Sequence, residues 1–200
     1  MAGKKRKKWP WILGIIALIA LVALLLVRCD GQQDDIPTLC IESPQKLAPD
    51  TKEFLLDVTV SDLGEALYPA MSMCICFDSS RLEFLGVEEG NLFVLSSENS
   101  NGRQLPQWSC DMENSNATGV INVMYLDMTS GKNAFTKALL ADDDNVVLRL
   151  KLRLRGSCRP GDVLDLILED AVFAASDEAQ SLAMTTGTLK TRNGKLVIGG

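Results

Sequence analysis

The sequence predicts an all-β protein, a jelly-roll-like β-sandwich of about nine strands, preceded by one N-terminal transmembrane helix. Beyond residue 50, apolar and polar residues alternate in short segments, which is the pattern of half-buried strands. Gly, Asn and Asp separate these segments, and no long amphipathic helix competes with them. Because an isolated sheet cannot bury its apolar face, two sheets are expected to pack together.

The strands are predicted where the alternating segments occur. They cover residues 53–60, 71–77, 82–87, 105–111, 120–127, 146–155, 163–169, 171–175 and 188–198. A short apolar piece at 39–41 leads toward the first strand, and Asn193-Gly194 predicts a bend in the last one. Residues 133–140 are expected to form one or two helical turns, which the aspartates at 142–144 would end.

The N-terminus predicts a retained signal anchor. Five basic residues at 4–8 precede Trp9 and an uninterrupted apolar and glycine run from 11 to 27, which as a helix spans about 26 Å. No small-residue cleavage pattern follows the run, and Cys29 comes after Arg28 rather than after the small residue of a lipoprotein signal. The positive-inside rule then places residues 1–8 in the cytoplasm.

This topology predicts four parts: a cytoplasmic basic head at 1–8, a transmembrane anchor at 9–28, a stalk at 29–49 and an outer sandwich at 50–200. The chain is therefore expected to be a single-pass protein of the cell membrane with its C-terminal domain outside the cell. A cleaved signal peptide is the alternative that the sequence leaves open.

Charge and composition exclude several classes of function. The chain of 200 residues has a net charge of −6, but residues 1–28 hold six basic residues and no acid, so the outer part is strongly acidic. An acidic body opposes phosphate contacts, so nucleic acid is not an expected partner. Histidine is absent, which removes imidazole bases and His-containing zinc sites. Adjacent acids such as those at 142–144 lie in turns, where they are usually solvated, and no pair of carboxylates has a predicted catalytic spacing, so we expect neither an enzyme nor a cofactor.

Six cysteines in an extracellular domain suggest disulfides, but the fifteen full pairings cannot be distinguished from sequence. Cys74 and Cys76 are two positions apart on one strand, about 6.6 Å between Cα atoms, so they should not bond to each other. Cys110 is the first partner to test for either of them. The spacing does not match a zinc knuckle, the acidic turn near 142–145 lacks a calcium-loop pattern, and no metal is expected.

Alternation assigns faces on two strands. On 71–77 the bulky residues point inward, and a flat row of small residues points outward, namely Ala70, Ser72, Cys74 and Cys76. On 146–155 the leucines point inward, and the cations Arg149, Lys151, Arg153 and Arg155 point outward. The cations suit either a solvated face that discourages edge pairing or a positive surface for a partner.

Four segments in order resemble the bacterial cohesin domain of cellulosome-type assemblies: FLLDVTVSDLGE, ALYPAMSMCICFDSSRLEFLGVEEGNLF, GVINVMYLDMTSG and VVLRLKLRLRGSCRPGDVLDLILEDAVFAASD. The second contains Phe77-Asp78 followed by a turn and Leu82-Glu83-Phe84. The resemblance extends from about residue 36 to 198. It departs from the family at the two outward cysteines and at Ser79, where the family has proline.

The resemblance implies a jelly-roll-like sandwich that binds a dockerin through the outward residues of strands 71–77, 120–127 and 146–155, taken to share one sheet. Carried over by position, the partner-binding residues are Ala70, Ser72, Cys74, Cys76, Tyr125, Asp127, Arg149, Lys151 and Arg153. A shift of one residue on 120–127 would replace Tyr125 and Asp127 by Met124 and Leu126.

The sequence thus predicts a membrane-anchored, extracytoplasmic, non-catalytic cohesin-like module that captures a dockerin-type or other protein partner. The alternative is a carbohydrate-binding module of the same architecture, with a polysaccharide as ligand. Sugar stacking needs exposed aromatic side chains, and beyond the anchor the tryptophans and tyrosines are only Trp108, Tyr68 and Tyr125.

Overall fold

The computed structural model of the protein describes residues 36–42, 46–92, 108–141, 145–156 and 158–199. The predicted head, the predicted anchor and the first part of the predicted stalk lie outside these residues. In the described ranges, no helix has the length and apolar character that a membrane span requires.

The described residues contain eleven strands and one short helix. The strands are β1 (Thr38–Ile41), β2 (Glu53–Val60), β3 (Ala70–Phe77), β4 (Leu82–Glu89), β5 (Ser109–Cys110), β6 (Val120–Leu126), β7 (Val146–Leu154), β8 (Val163–Ala174), β9 (Leu182–Ala183), β10 (Lys190–Arg192) and β11 (Gly194–Val197). The helix α1 (Met112–Thr118) lies between β5 and β6, and 3₁₀ turns cover Lys137–Leu139 and Glu178–Gln180.

The strands form two sheets, which confirms the predicted all-β sandwich. Sheet one has the order β10-β1-β2-β7-β4, and sheet two has the order β11-β8-β3-β6-β5, with β9 paired to the second half of β8. Among the described strands, β1 and β10 form the one parallel pair. Because β1 belongs to sheet one, the sandwich begins before residue 50, inside the segment that was predicted to be a stalk.

Two predicted regions are divided into strands differently in the structure. The strands predicted at 163–169 and 171–175 are one strand, β8, in which a register shift opposite Cys74 and Ile75 interrupts the alternation without ending the pairing. The strand predicted at 188–198 is two strands, β10 and β11, which belong to different sheets, and the chain crosses between them at the predicted bend, Asn193. A Cβ on Gly194 would approach the Ile41 side chain to 2.5 Å, so this crossing needs a residue without a side chain.

The core lies between the inward rows of the two sheets. Leu148, Leu150 and Leu152 of β7 are fully buried, and so is Ile75 of β3. Burial of such an aliphatic side chain contributes about 1.5–3 kcal/mol. At one end of the core, rings pack edge to face or at a tilt, and this cluster consists of Tyr68, Trp108, Tyr125, Phe135 and Phe173.

Helix α1, which the sequence pattern did not predict, joins β5 to β6 of sheet two and contacts β4 of sheet one through Asn116. Asp111 caps its N-terminus by accepting a hydrogen bond from the Asn114 N–H, and Gly119 ends it in the left-handed region with φ of 73°. The Asn116 side chain accepts from the Phe84 N–H at 2.8 Å and donates to the Phe84 carbonyl at 2.8 Å. One amide side chain therefore occupies backbone groups on the side of β4 that faces away from β7, where an added strand could otherwise pair.

Candidate functional site

The outer face of sheet one carries the predicted cations, and its charges are paired within the sheet. Strand β7 lies between β2 and β4, and the register places acidic residues of both neighbours beside its cations. The ion pairs are Arg149–Asp57 at 3.0 Å, Lys151–Glu53 at 3.3 Å, Lys151–Glu88 at 3.9 Å, Arg153–Glu53 at 2.6 Å, Arg153–Glu83 at 3.3 Å and Arg155–Glu83 at 3.2 Å. This set is named the β7 ion-pair network below.

The electrostatic consequences are clearest at Glu53 and Arg153. Hydrogen bonds from Arg153 and then Lys151 lower the pKa of Glu53, and the hydrogen bond to Glu53 raises the pKa of Arg153. Both groups are therefore held more firmly in their charged forms. Since each β7 cation already has an acidic neighbour, this face presents mixed and locally balanced charge to solvent.

The expectation that strands 71–77, 120–127 and 146–155 share one sheet is wrong. Strands β3 and β6 are neighbours in sheet two, whereas β7 is in sheet one between β2 and β4. Arg149, Lys151 and Arg153 do point outward as predicted, but from the opposite side of the sandwich. Alternation determines which way a side chain points and contains no information about which strands are neighbours.

The outer face of sheet two holds the other predicted residues on β3. Ala70, Ser72, Cys74 and Cys76 all point outward and are half-buried, while the residues between them are buried in the core. The predicted direction of this row is therefore confirmed. We call the outward surface of β8, β3, β6 and β5 the β3 face.

On β6 the predicted register is wrong by one residue. Tyr125 is only 3% exposed, packs inside the ring cluster and donates a hydrogen bond to the Asn133 carbonyl at 2.9 Å. Met124 and Leu126 point outward instead, each 57% exposed. Tyr125 faces inward because it alternates in step with the buried Ile121 and Val123, and its hydroxyl donates to Asn133 eight residues further along the chain.

Asp127 lies just beyond β6, where its carboxylate organises the following loop. The N–H groups of Thr129 and Gly131 each donate to it at 2.7 Å. Burial opposes ionisation of this group, but hydrogen bonds from Thr129, Gly131 and Asn133 outweigh burial and lower its pKa. The carboxylate is thus engaged in the loop rather than displayed on the β3 face.

Strand β8 contributes residues to the β3 face that were not among the predicted site residues. Asp170 pairs with Cys74 and Leu168 pairs with Ile75, so Glu169 is an extra residue in a β-bulge. The bulge leaves two consecutive acidic side chains, Glu169 and Asp170, exposed on the same stretch of strand. The sequence signal was the pair of adjacent acids at a break in the alternation, which was interpreted as a strand end.

A shallow depression of about 490 Å³ crosses the middle of the β3 face. Its lining comes from β3, β5, β6 and β8, and includes Ser72, Cys74, Ser109, Asn122, Met124 and Asp170. Ile167 of β8, 43% exposed, adds to the apolar area of the same face. Small polar groups, thiols and exposed aliphatic side chains thus form one shallow surface, the type of surface that suits a protein partner.

The two thiols on this face are poor nucleophiles. Burial, followed by a hydrogen bond with Glu169, raises the pKa of Cys76 to about 11. Burial and the charges of Glu169 and Asp170 raise the pKa of Cys74. Since the thiolate is the reactive form, both cysteines remain protonated at neutral pH.

All five described cysteines are free. Cys110 pairs with Val123, an inward residue of β6, and packs against the core. Cys110 therefore lies on the opposite side of sheet two from Cys74 and Cys76, and the suggestion that it is their first disulfide partner does not fit the structure. Among the described residues, no group of three or more acidic or cysteine side chains is arranged to hold a metal ion.

None of the aromatic side chains considered for sugar stacking is exposed. Tyr68 and Tyr125 are buried, and Trp108 is half-buried against Tyr125 and Phe135. The described residues therefore give no support to the predicted carbohydrate-binding alternative.

Comparisons with known proteins identify the fold. No protein-family model and no curated protein sequence matches the chain. Among solved structures, it is similar to the cohesin of a type I cohesin–dockerin complex, Coh-OlpA-Doc918 from Clostridium thermocellum, with a TM-score of 0.58 and 18% identity over 82% of this chain and 99% of that one.

The third cohesin of ScaC from Acetivibrio cellulolyticus, solved with the ScaB dockerin, has a TM-score of 0.56 and 14% identity, covering 82% of this chain and 99% of that one. A non-cellulosomal cohesin from the archaeon Archaeoglobus fulgidus has a TM-score of 0.50 and 16% identity, covering 82% of this chain and 91% of that one. The sandwich of this protein therefore has the fold of a cohesin-type domain.

Proposed function

We propose that the domain is a non-catalytic binding module that captures a protein partner of the dockerin type on its β3 face. The observation that carries the proposal is the contrast between its two outer faces. Sheet one uses its charges in the β7 ion-pair network, whereas the β3 face exposes Met124, Leu126 and Ile167 around a depression. Exposed apolar side chains gathered on one flat surface are typical of an interaction site.

The similar cohesins support this partner class, since two of them were solved bound to dockerins. At 14–18% identity the fold is shared, and the partner has to be established for this chain itself. Arg149, Lys151 and Arg153 are left out of the proposed site because they are engaged on the opposite face.

The partner is tested by capture and a matched pair of substitutions. The full chain is used to capture secreted proteins of the host, which are identified by mass spectrometry, and the affinity of the identified protein is measured. Ser72→Trp places a bulky ring in the centre of the β3 face, so we expect binding to fall by at least about a hundredfold. Leu55→Trp on β2, a similarly outward position on sheet one, is the control that should bind normally.

A captured protein that binds Ser72→Trp as well as wild type, and loses affinity for Leu55→Trp, would move the site to sheet one. Circular dichroism of both variants establishes that the comparison is between folded proteins.

We further propose that residues 9–28 anchor the module in the cell membrane with residues 30–200 outside. The support is the sequence pattern, five basic residues followed by an apolar run. External protease applied to intact cells should digest the C-terminal domain and leave an N-terminal tag intact. Digestion of the tag with a protected domain would reverse the orientation.

A further inference from the structure

One carboxylate of sheet one points into the core of the sandwich. In the pairing of β4 with β7, Glu89 lies directly opposite Leu148, which is fully buried, so the two side chains share the inward face. The Oε1 atom of Glu89 is buried, and no described group donates a hydrogen bond to it. The preceding residue, Glu88, points outward, and its Oε1 lies 3.9 Å from Lys151 Nζ. Glu89 is thus an acid at a core position.

A second buried polar atom without a hydrogen bond belongs to Trp108, just before β5. Continued by one residue, the pairing of β5 with β6 places Trp108 opposite Tyr125, and the centroids of their rings are 5.4 Å apart. Since Tyr125 is an inward residue, Trp108 also faces the core. Its indole Nε1 is buried and donates to no described group. An acceptor on sheet one and a donor on sheet two are therefore both left without a partner.

Both atoms lie at the same edge of the sandwich. Strand β4 ends the strand order of sheet one, and β5 ends that of sheet two. Helix α1, which follows β5, bonds to Phe84 of β4 through Asn116. Its first residue, Met112, has its sulfur 3.5 Å from the place that a Cβ on Gly86 would take. Because Trp108 precedes this helix, it lies further toward the C-terminal end of β4.

The charged neighbours of Glu89 within sheet one do not neutralise its carboxylate. The Arg149 guanidinium of β7 donates to the backbone carbonyl of Glu89 at 2.9 Å, but it lies on the outward face and pairs with Asp57. Burial raises the pKa of Glu89, and no charge of the described residues contributes to this shift. The carboxylate is therefore penalised for ionising and receives no compensation.

Sheet two brings no compensating charge to this edge either. Its inward titratable groups here are the Cys110 thiol and the Tyr125 phenol, and burial raises the pKa of both, that of Tyr125 to about 12. Both groups therefore stay neutral between about pH 4 and 8. The acids at the start of α1, Asp111 and Glu113, are exposed to solvent. Glu89 is thus the inward group that changes charge in this range among the residues described at this edge.

We propose that the protonation state of Glu89 controls how tightly the two sheets close at the β4–β5 edge. As a neutral acid, Glu89 stays in the core beside Trp108, whereas an ionised carboxylate without a donor or a cation is costly to bury, so the edge opens to hydrate it. The folded-state pKa is raised, so the stabilising effect of the neutral form is fully present below the unfolded pKa of about 4.3. It is lost as the pH rises through the higher folded value. This property is independent of the partner that binds the β3 face.

The test uses Trp108 as a fluorescent reporter, in the full chain in mild detergent with Trp9→Phe and Trp11→Phe, so that the emission comes from Trp108 alone. We expect quenching by acrylamide to increase about twofold from about pH 4 to about pH 8, because the edge opens locally. The midpoint should lie above the ordinary carboxyl value of about 4.3. Glu89→Gln cannot ionise, so it should show no increase, and its melting temperature should exceed that of wild type by a few degrees at about pH 8 but not at about pH 4.

Glu88→Gln is the matched control, since it removes the neighbouring outward carboxylate, and it should keep the wild-type dependence of quenching on pH. Glu89→Leu, which also cannot ionise and suits a core position, replaces Glu89→Gln if circular dichroism shows that the amide variant is unfolded. Quenching that does not change with pH in the wild type, or a midpoint near 4.3, would mean that the carboxylate is hydrated and would overturn the inference. A pH-dependent increase that persists in the Glu89 variants would overturn it as well.

Discussion

Both sheets of the sandwich alternate buried and outward residues along their strands, but their outward residues differ in chemistry. One face carries ion pairs, and the other exposes apolar side chains and thiols. On sheet one, the cations of β7 meet acids on β2 and β4, and the partners of each charge belong to the domain itself. On sheet two, the acids Glu169 and Asp170 lie beside thiols and exposed apolar side chains, and the described strands β3, β6 and β8 contain no lysine or arginine. The outward cations of β7 therefore lie on the face whose charges are already paired within the domain. The small outward side chains of β3 lie on the face where apolar side chains are exposed.

The largest difference between the two faces is expected from reversing three β7 cations together. The variant carries Arg149→Glu, Lys151→Glu and Arg153→Glu. Each new carboxylate would lie beside the acids of β2 and β4, so we expect the melting temperature to fall by several degrees, less so at high salt. Affinity for the captured partner should stay within about twofold of wild type for the folded protein. Calorimetry and a binding titration give the two readouts.

A matched charge-neutral variant, with Gln at the same three positions, should fall between wild type and the triple reversal in stability. A loss of partner affinity in the Gln variant, without loss of stability, would assign a binding role to sheet one.

Lowering the pH should reduce the free energy of unfolding in part because Glu53 becomes protonated and its ion pairs on sheet one are lost. The folded-state pKa of Glu53 is lowered, so its contribution to stability is present above its unfolded pKa of about 4.3 and is lost as pH falls through the lower folded value. Glu53→Gln should therefore flatten the decline of unfolding free energy below about pH 4.3. Denaturant unfolding at a series of pH values measures this slope, and an unchanged slope in the variant would contradict the prediction.

The smallest expected effect is on the thiols of the β3 face. Alkylation of Cys76 should be slow at pH 7 and accelerate by about tenfold per pH unit up to its pKa of about 11. Glu169→Gln removes a hydrogen bond and a negative charge that both raise this pKa, so labelling of Cys76 should become a few times faster. Peptide mass spectrometry after timed labelling follows Cys76 separately, and Cys110, which faces the core, is the internal reference.

Sequence reasoning succeeded where the determinant was local. The period of two on β3 and β7 placed small residues and leucines on their correct sides, because direction along a strand depends only on position. It failed where the determinant was a distant contact. The neighbours of β7 are β2 and β4, and that pairing is a property of chain topology rather than of the β7 sequence.

Two further features, the bulge in β8 and helix α1, were not predicted because they too depend on contacts with other parts of the chain. Adjacent acids at 169 and 170 break the alternation, and only the pairing with β3 distinguishes a bulge from a strand end. Helix α1 has seven residues, too few for an amphipathic pattern, although Asp111 before it and Gly119 after it are recognisable as capping residues. Its position depends on the Asn116 contact with Phe84, which lies 32 residues away in sequence.

The position of β1 gives the domain a mechanical property. The chain enters sheet one at Thr38, and β1 is bonded to β2 on one side and to β10 on the other. A strand at the rim of a sheet peels away one bond at a time when its end is pulled, but a strand held on both flanks cannot do so. We therefore expect tension applied along β1 from its N-terminal side to load both ladders together rather than one bond at a time.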